Sequence, residues 1–109
     1  VAVTWVNSLI RDFQGTYDTV VMNPPFGAQK RHSDRPFLVK AISVGRIIYM
    51  LHSAVVNDFV RRFIEPNRVT DAISVKLPIA HTFKFHKNEI RYVDATIYRV
   101  EVVTHLADM

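Results

Sequence analysis

The feature that most constrains this chain is a strand that stops abruptly. Val20, Val21 and Met22 stand in unbroken succession within residues 18–23, and the chain then meets Pro24 and Pro25. Consecutive apolar residues without alternation suit a parallel strand covered on both faces. Prolines lack the N–H that a ladder needs, so pairing ends there. The expectation is a buried central strand with a rigid exit. Residues 1–6 read as a β-rich apolar segment, followed by the polar turn Asn7-Ser8 and a connector. Residues 27–35 read as a polar, basic loop, with Ser33 or Asp34 capping a helix that has Pro36 in its first turn. Phe37, Leu38, Ala41 and Ile42 form the inner face of that helix, and Gly45 closes it. A second apolar strand spans residues 46–52. Ser53 then caps a helix in which Val55, Val56, Phe59, Val60, Phe63 and Ile64 recur at helical spacing until Pro66. Residues 69–77 form a third strand, and residues 78–91 are too polar and irregular to assign. Residues 92–103 alternate, with Tyr98, Val100 and Val102 facing one way and Arg99 and Glu101 the other. This order predicts an α/β layer sandwich around a mostly parallel sheet.

Composition narrows the chemistry. The 109 residues support one modest core. Without cysteine, disulfides, thiolate zinc sites, iron–sulfur clusters and cysteine nucleophiles are excluded. No pair of the five histidines has the His-x-x-x-His spacing, so no metal site is expected. The longest apolar run, Ile47 to Leu51, falls far short of the roughly 20 residues of a spanning helix. With no basic-then-apolar signal pattern at the N-terminus, a cytoplasmic location is expected. Fourteen Lys and Arg against ten Asp and Glu leave a net charge of +4, which permits an anionic partner such as nucleic acid.

Asn23-Pro24-Pro25-Phe26 lies where ligands bind in open α/β sheets, beyond the carboxyl end of a strand. Asn23 offers a side-chain carbonyl and Pro24 a backbone carbonyl, and the proline rings fix the direction of both acceptors. Two converging acceptors suit a planar amino group: each takes one N–H, the lone pair is drawn out of conjugation, and the nitrogen can attack an electrophilic methyl. Phe26 would stack on the ring, and one base–aromatic stack contributes roughly 1 to 3 kcal/mol. The tetrapeptide arises by chance in a chain this long on the order of once in a thousand, so chemistry outweighs an ordinary Pro-Pro stop.

Tyr17-Asp18-Thr19-Val20-Val21-Met22-Asn23-Pro24-Pro25-Phe26-Gly27 resembles motif IV of S-adenosylmethionine-dependent amino methyltransferases. Thr82-Phe83-Lys84-Phe85-His86-Lys87 resembles a segment of one branch, the methyltransferase-like family of archaeal and eukaryotic small-subunit rRNA adenine N6-methyltransferases. The similarity runs over residues 13–102. It implies a three-layer Rossmann-like methyltransferase fold, S-adenosylmethionine as cofactor, and rRNA as substrate. It also implies that Asn23, Pro24, Pro25 and Phe26 hold the target adenine, with Lys84, Phe85, His86 and Lys87 near the mouth of the site. A small zinc-binding activator subunit is a further implied partner. Lys30 and Arg31, just beyond the motif, are candidates for clamping RNA phosphates.

The resemblance is incomplete. Gly15, Gly27 and Gly45 form no Gly-x-Gly, so the family's cofactor loop has no counterpart. Residues 1–109 therefore read as a partial methyltransferase domain, from motif IV to the C-terminal strand, inactive alone, with residues 1–6 matching the family's third strand. Where the family carries an acidic residue near the cofactor adenine, this chain has Asn7 and Ser8, either of which could bond the base. Lacking neighbouring strands, the motif IV strand would expose one edge. Either a homo-oligomer covers it or the N-terminal strand moves into the vacancy. Two other functions stay open: a protein glutamine methyltransferase, which uses the same Asn-Pro-Pro-aromatic geometry, and a noncatalytic nucleic-acid-binding or dimerisation module.

Overall fold

The computed structural model describes residues 1–24, 34–82 and 88–103. After a 3₁₀ turn at Ile10–Asp12, strand β1 spans Tyr17–Met22, helix α1 Arg35–Val44, strand β2 Gly45–Ser53 and helix α2 Asn57–Phe63. Strands β3, Arg68–Thr82, and β4, Asn88–Glu101, complete a four-stranded sheet of order β1-β2-β4-β3. The architecture is a mixed α/β sheet of four strands with two helices.

Both helices lie against one face. Leu38 and Ala41 of α1, Ile48 and Met50 of β2, Val60 of α2, Ile64 and Tyr98 and Val100 of β4 form the core, each at most 2% exposed. Period-2 alternation sorts the strands: Ile48, Met50 and His52 face the helices, whereas Ile47, Tyr49 and Leu51 face away. Among the described residues no helix covers that second face, where Tyr49, Ile73 and Ile97 stay exposed. Helix α1 runs directly into β2 at Gly45, whose φ of −113° any residue adopts. What requires glycine there is space: a Cβ would stand 2.7 Å from Val20 Cγ2. Gly15 is different, because its φ of 144° disfavours other residues.

Several sequence expectations are corrected. Residues 1–6 form no strand and leave the open edge of β1 unpaired; Val3 and Trp5 are 67% and 91% exposed. The stretch Val20-Val21-Met22 is not central but belongs to an edge strand, with Val21 79% exposed. Nor is the sheet mostly parallel. The α1 crossover makes β1 and β2 parallel, but β4 runs antiparallel to both its neighbours because β3 and β4 follow each other as a long antiparallel pair. Within residues 78–91, β3 continues to Thr82 and β4 begins at Asn88. Pro78 is tolerated opposite Tyr92 because β3 is the other edge of the sheet. Ser53 makes no capping bond, and a 3₁₀ turn at Ala54–Val56 precedes α2. Asp34 does precede α1, yet its side chain makes no capping bond either. No helix of the described residues is long and apolar enough to cross a membrane.

Candidate functional site

Strand β1 delivers the candidate acceptors to the carboxyl end of the parallel β1–β2 pair. The last registered partners are Met22 and Met50, and continuing that register past the ladder would set Asn23 level with Leu51 and Pro24 with His52. Alternation continues past the strand: Asn23 shares the uncovered face with Val21 and is exposed, whereas Pro24 shares the helix face with Met22 and is buried. The anchor is thus fixed in the packing and the side-chain amide is open to a ligand. Asn23 also borders a hollow of about 520 Å³ on the uncovered face, lined otherwise by apolar groups that include Val21, Tyr49, Leu51, Leu77 and Ile97. A flat ring laid there would meet hydrocarbon and find a carbonyl acceptor at its rim.

On the opposite face a hollow of about 350 Å³ lies between β1, α1 and the N-terminal turn, lined by residues such as Phe13, Tyr17, Val20, Phe37 and Lys40. Lys40 Nζ donates to the carbonyls of Phe13, at 2.5 Å, and Arg11, at 3.2 Å, and so ties the turn to α1. Phe13 stacks on Tyr17 with ring centroids 5.8 Å apart.

Asn7 and Ser8 lie in the exposed N-terminal segment, where Ser8 Oγ donates to the neighbouring Leu9 carbonyl at 2.8 Å. Among the described residues no hydrogen bond joins either to Asn23, and nothing encloses them as a cofactor's adenine would require. Pro25, Phe26, Lys30 and Arg31 lie outside the described residues, as do Lys84, Phe85, His86 and Lys87. Asp18, on β1, pairs with Arg46 at 3.8 Å with both side chains exposed. Among the described residues no group of three metal-ligating side chains comes together.

Sequence reasoning missed a buried polar cluster beneath Asn23 and Pro24. His52 is 1% exposed and Asp34 2%, with Nδ1 and Oδ2 3.8 Å apart. Burial pushes the His52 imidazole below its ordinary value of 6.5, and the Asp34 carboxylate offsets part of that. The His52 ring meets Tyr98 edge-on at 6.0 Å. Tyr98 Oη donates to Asn57 Oδ1 at 2.5 Å, and Arg61 donates from Nε to the same oxygen and lies 5.7 Å from the Tyr98 ring. Burial, its largest influence, pushes the Tyr98 phenol upward. The available sequence signal was one imidazole at a helix-facing position of an otherwise apolar strand.

Comparison with known proteins places this arrangement. No protein-family model matches the chain. An uncharacterized protein of Methanocaldococcus jannaschii is 34% identical over 89% of this chain and 45% of its own length. An rRNA N(6)-adenosine-methyltransferase of Danio rerio is 31% identical over 77% of this chain and 42% of its own. The Drosophila melanogaster protein of the same name is 28% identical over 84% and 45%. Among solved structures, a candidate RNA methyltransferase from Pyrococcus horikoshii superposes with a TM-score of 0.75 at 35% identity, over 87% of this chain and 48% of that one. A Thermoplasma acidophilum protein superposes with a TM-score of 0.71 at 31% identity, over 88% and 53%. The chain spans about half the length of each of these relatives.

Proposed function

We propose, from the premise that this chain belongs to the methyltransferase-like family of RNA methyltransferases, that it carries the acceptor-holding half of an S-adenosylmethionine-dependent adenine N6-methyltransferase acting on RNA, with rRNA as the substrate class. The observation that carries the reading is the split at the end of β1: Pro24 is buried and rigid while Asn23, one residue earlier, is exposed. Asn23 Oδ1 and the Pro24 carbonyl then each accept one N–H of the adenine amine, and Phe26 stacks on the base. Withdrawing the amine lone pair from the ring raises its nucleophilicity, and holding it in line with its electrophile supplies the orientational share of the acceleration.

When bound, S-adenosylmethionine supplies the methyl group as an electrophile. The described residues do not fit it: Asn7 and Ser8 are exposed, and the three glycines make no Gly-x-Gly loop. The 109 residues alone are therefore inactive in this proposal, in the cytoplasm as elsewhere. A small zinc-binding activator is the partner that the family resemblance adds. The open edge of β1, where Val21 is 79% exposed, points to a second copy as a further partner.

Calorimetric titration with S-adenosylmethionine tests the cofactor part; no heat is expected, and micromolar binding would refute it. Methylation of RNA, assayed with the chain joined to the missing half of the Pyrococcus relative, tests the rest. Asn23→Ala should lose about 100-fold or more in rate, in line with removing one positioned polar group from a reacting centre. Methylation of a glutamine peptide instead of RNA would overturn the RNA reading. Val21→Lys places a charge on the open edge and should convert any sedimenting oligomer to monomer.

A further inference from the structure

The orphaned histidine beneath the acceptors has a position that suggests its work. On β2 the helix-facing positions run Ile48, Met50, His52, and the first two are ordinary core residues. A leucine in the third would leave no ring nitrogen buried, at the cost of removing the neighbour of the buried Asp34 carboxylate. Instead His52 Nε2 is buried with no hydrogen-bond partner among the described residues. Its Nδ1 lies 3.8 Å from Asp34 Oδ2, beyond hydrogen-bond length, so the two are held as close neighbours rather than bonded. Asp34 has meanwhile forgone the usual duty of a helix cap: its backbone carbonyl accepts from Phe37 and Leu38, while its side chain caps nothing. Asp34 and His52 thus stand side by side in the packing, with His52 Nε2 unpaired among the described residues.

The geometry points to His52, held by Asp34, as a positioning residue for the Asn23–Pro24 acceptor pair, acting through the packed ends of β1 and β2. It rests on the reading of Asn23 and Pro24 as the acceptors. A neutral imidazole in this place keeps the strand ends and the start of α1 at their present spacing. A charged imidazole would be drawn onto the Asp34 carboxylate, closing the 3.8 Å gap to bonding distance and shifting the side chain away from the β1 end.

Among the described residues, the charged and titratable groups around His52 come from α1, β4 and α2. Asp34 faces it from the start of α1, and Arg35 follows with its guanidinium 5.1 Å from the Phe59 ring and 6.0 Å from that of Phe63. Tyr98 faces it from β4. From α2, Asp58 and Arg61 act on Tyr98. Asn23 and Pro24 at the β1 end do not titrate.

The test is nuclear magnetic resonance of the 109-residue chain across pH 4 to 8, following the His52 ring, the Asn23 side-chain amide and, as a remote control, the Thr70 amide. Asn23 should titrate with the same midpoint as His52 while Thr70 stays still. In Asp34→Asn both midpoints should move down together, because the carboxylate that favours the charged ring is gone. In His52→Gln the Asn23 amide should lose its pH response over that range. An Asn23 amide that stays still while His52 titrates, or a Thr70 that moves with it, would overturn the inference. No RNA or cofactor enters this measurement. An inactive methyltransferase assay with the expected titration would therefore refute the functional reading and leave the His52 coupling standing.

Discussion

Replacing Gly45 with alanine probes the contact that sets β1 at its distance from the α1–β2 junction. The backbone there, φ −113° and ψ 154°, accepts any residue, so alanine brings no dihedral strain. In the unfolded chain it brings a gain of about 0.4 to 1 kcal/mol through lost backbone freedom. Against that, the new Cβ would lie 2.7 Å from Val20 Cγ2 and 3.2 Å from the Ala41 carbonyl oxygen. The first contact must open by about 0.7 Å to reach ordinary van der Waals separation, and Val20 is β-branched and stiff at χ1. Overpacking of this kind costs roughly 1 to 3 kcal/mol. The net expectation is a loss of about 1 to 2 kcal/mol, or roughly 4 to 8 °C in Tm per kcal/mol for a domain of this size. Urea unfolding followed by circular dichroism measures it, with an unchanged m-value as the check that the native state is intact. Val20→Ala supplies the decisive arm. If the clash is the cause, Gly45→Ala should cost nothing further in the Val20→Ala background. Additivity of the two changes within about 0.5 kcal/mol, or a Gly45→Ala chain as stable as the parent, would refute the reasoning.

The remaining predictions concern the buried cluster. Tyr98→Phe removes the donor to Asn57 Oδ1 and should cost about 1 kcal/mol in urea unfolding, because Asn57 keeps its bond from Arg61 Nε. The pH dependence of stability follows from His52, whose folded value lies below its ordinary 6.5. Above 6.5 the ring is neutral in both states and contributes nothing. Between 6.5 and the lower folded value the unfolded chain binds the extra proton, so stability falls as pH falls, by at most about 1.4 kcal/mol per pH unit. Below the folded value the loss levels off. His52→Leu should flatten this limb in unfolding measured across that range, and an unchanged limb would assign it to other groups.

What was legible in the sequence was what local pattern decides. Periodicity located α1 and most of α2, and alternation separated Tyr98 and Val100 from Arg99 and Glu101, because each is a property of residues a few positions apart. The strand exit was legible for the same reason: β1 ends at Met22, two residues before a proline that has no N–H for the ladder. What failed depends on partners distant in sequence. The run Val20-Val21-Met22 has the composition of a central strand, yet its neighbours decide whether it is one, and among the described residues only β2 pairs with it. Residues 1–6 have the composition of a strand and yet join no ladder of the described sheet. Residues 78–91 were too polar and irregular to assign, and Pro78 fits β3 only because that strand is an edge, which topology sets.

The same distinction explains why half of the site escaped. Asn23 and Pro24 announce themselves as adjacent residues, but the pair beneath them, Asp34 and His52, is assembled by two elements brought together only when α1 folds back beside β2. In the chain His52 closes a run of apolar residues, and an isolated imidazole in such a run ordinarily signals nothing. Its meaning arises from features that exist only in the folded state: it is buried, its Nε2 has no partner among the described residues, and it lies two residues beyond Met50, the last β2 residue registered with β1, as Pro24 lies two beyond Met22. An apolar side chain would satisfy the packing at lower desolvation cost. The retention of a titratable ring at the level of the acceptors is therefore a matter of what lies above it, and the Asn23 titration is the observation that separates a positioning role from a tolerated core histidine.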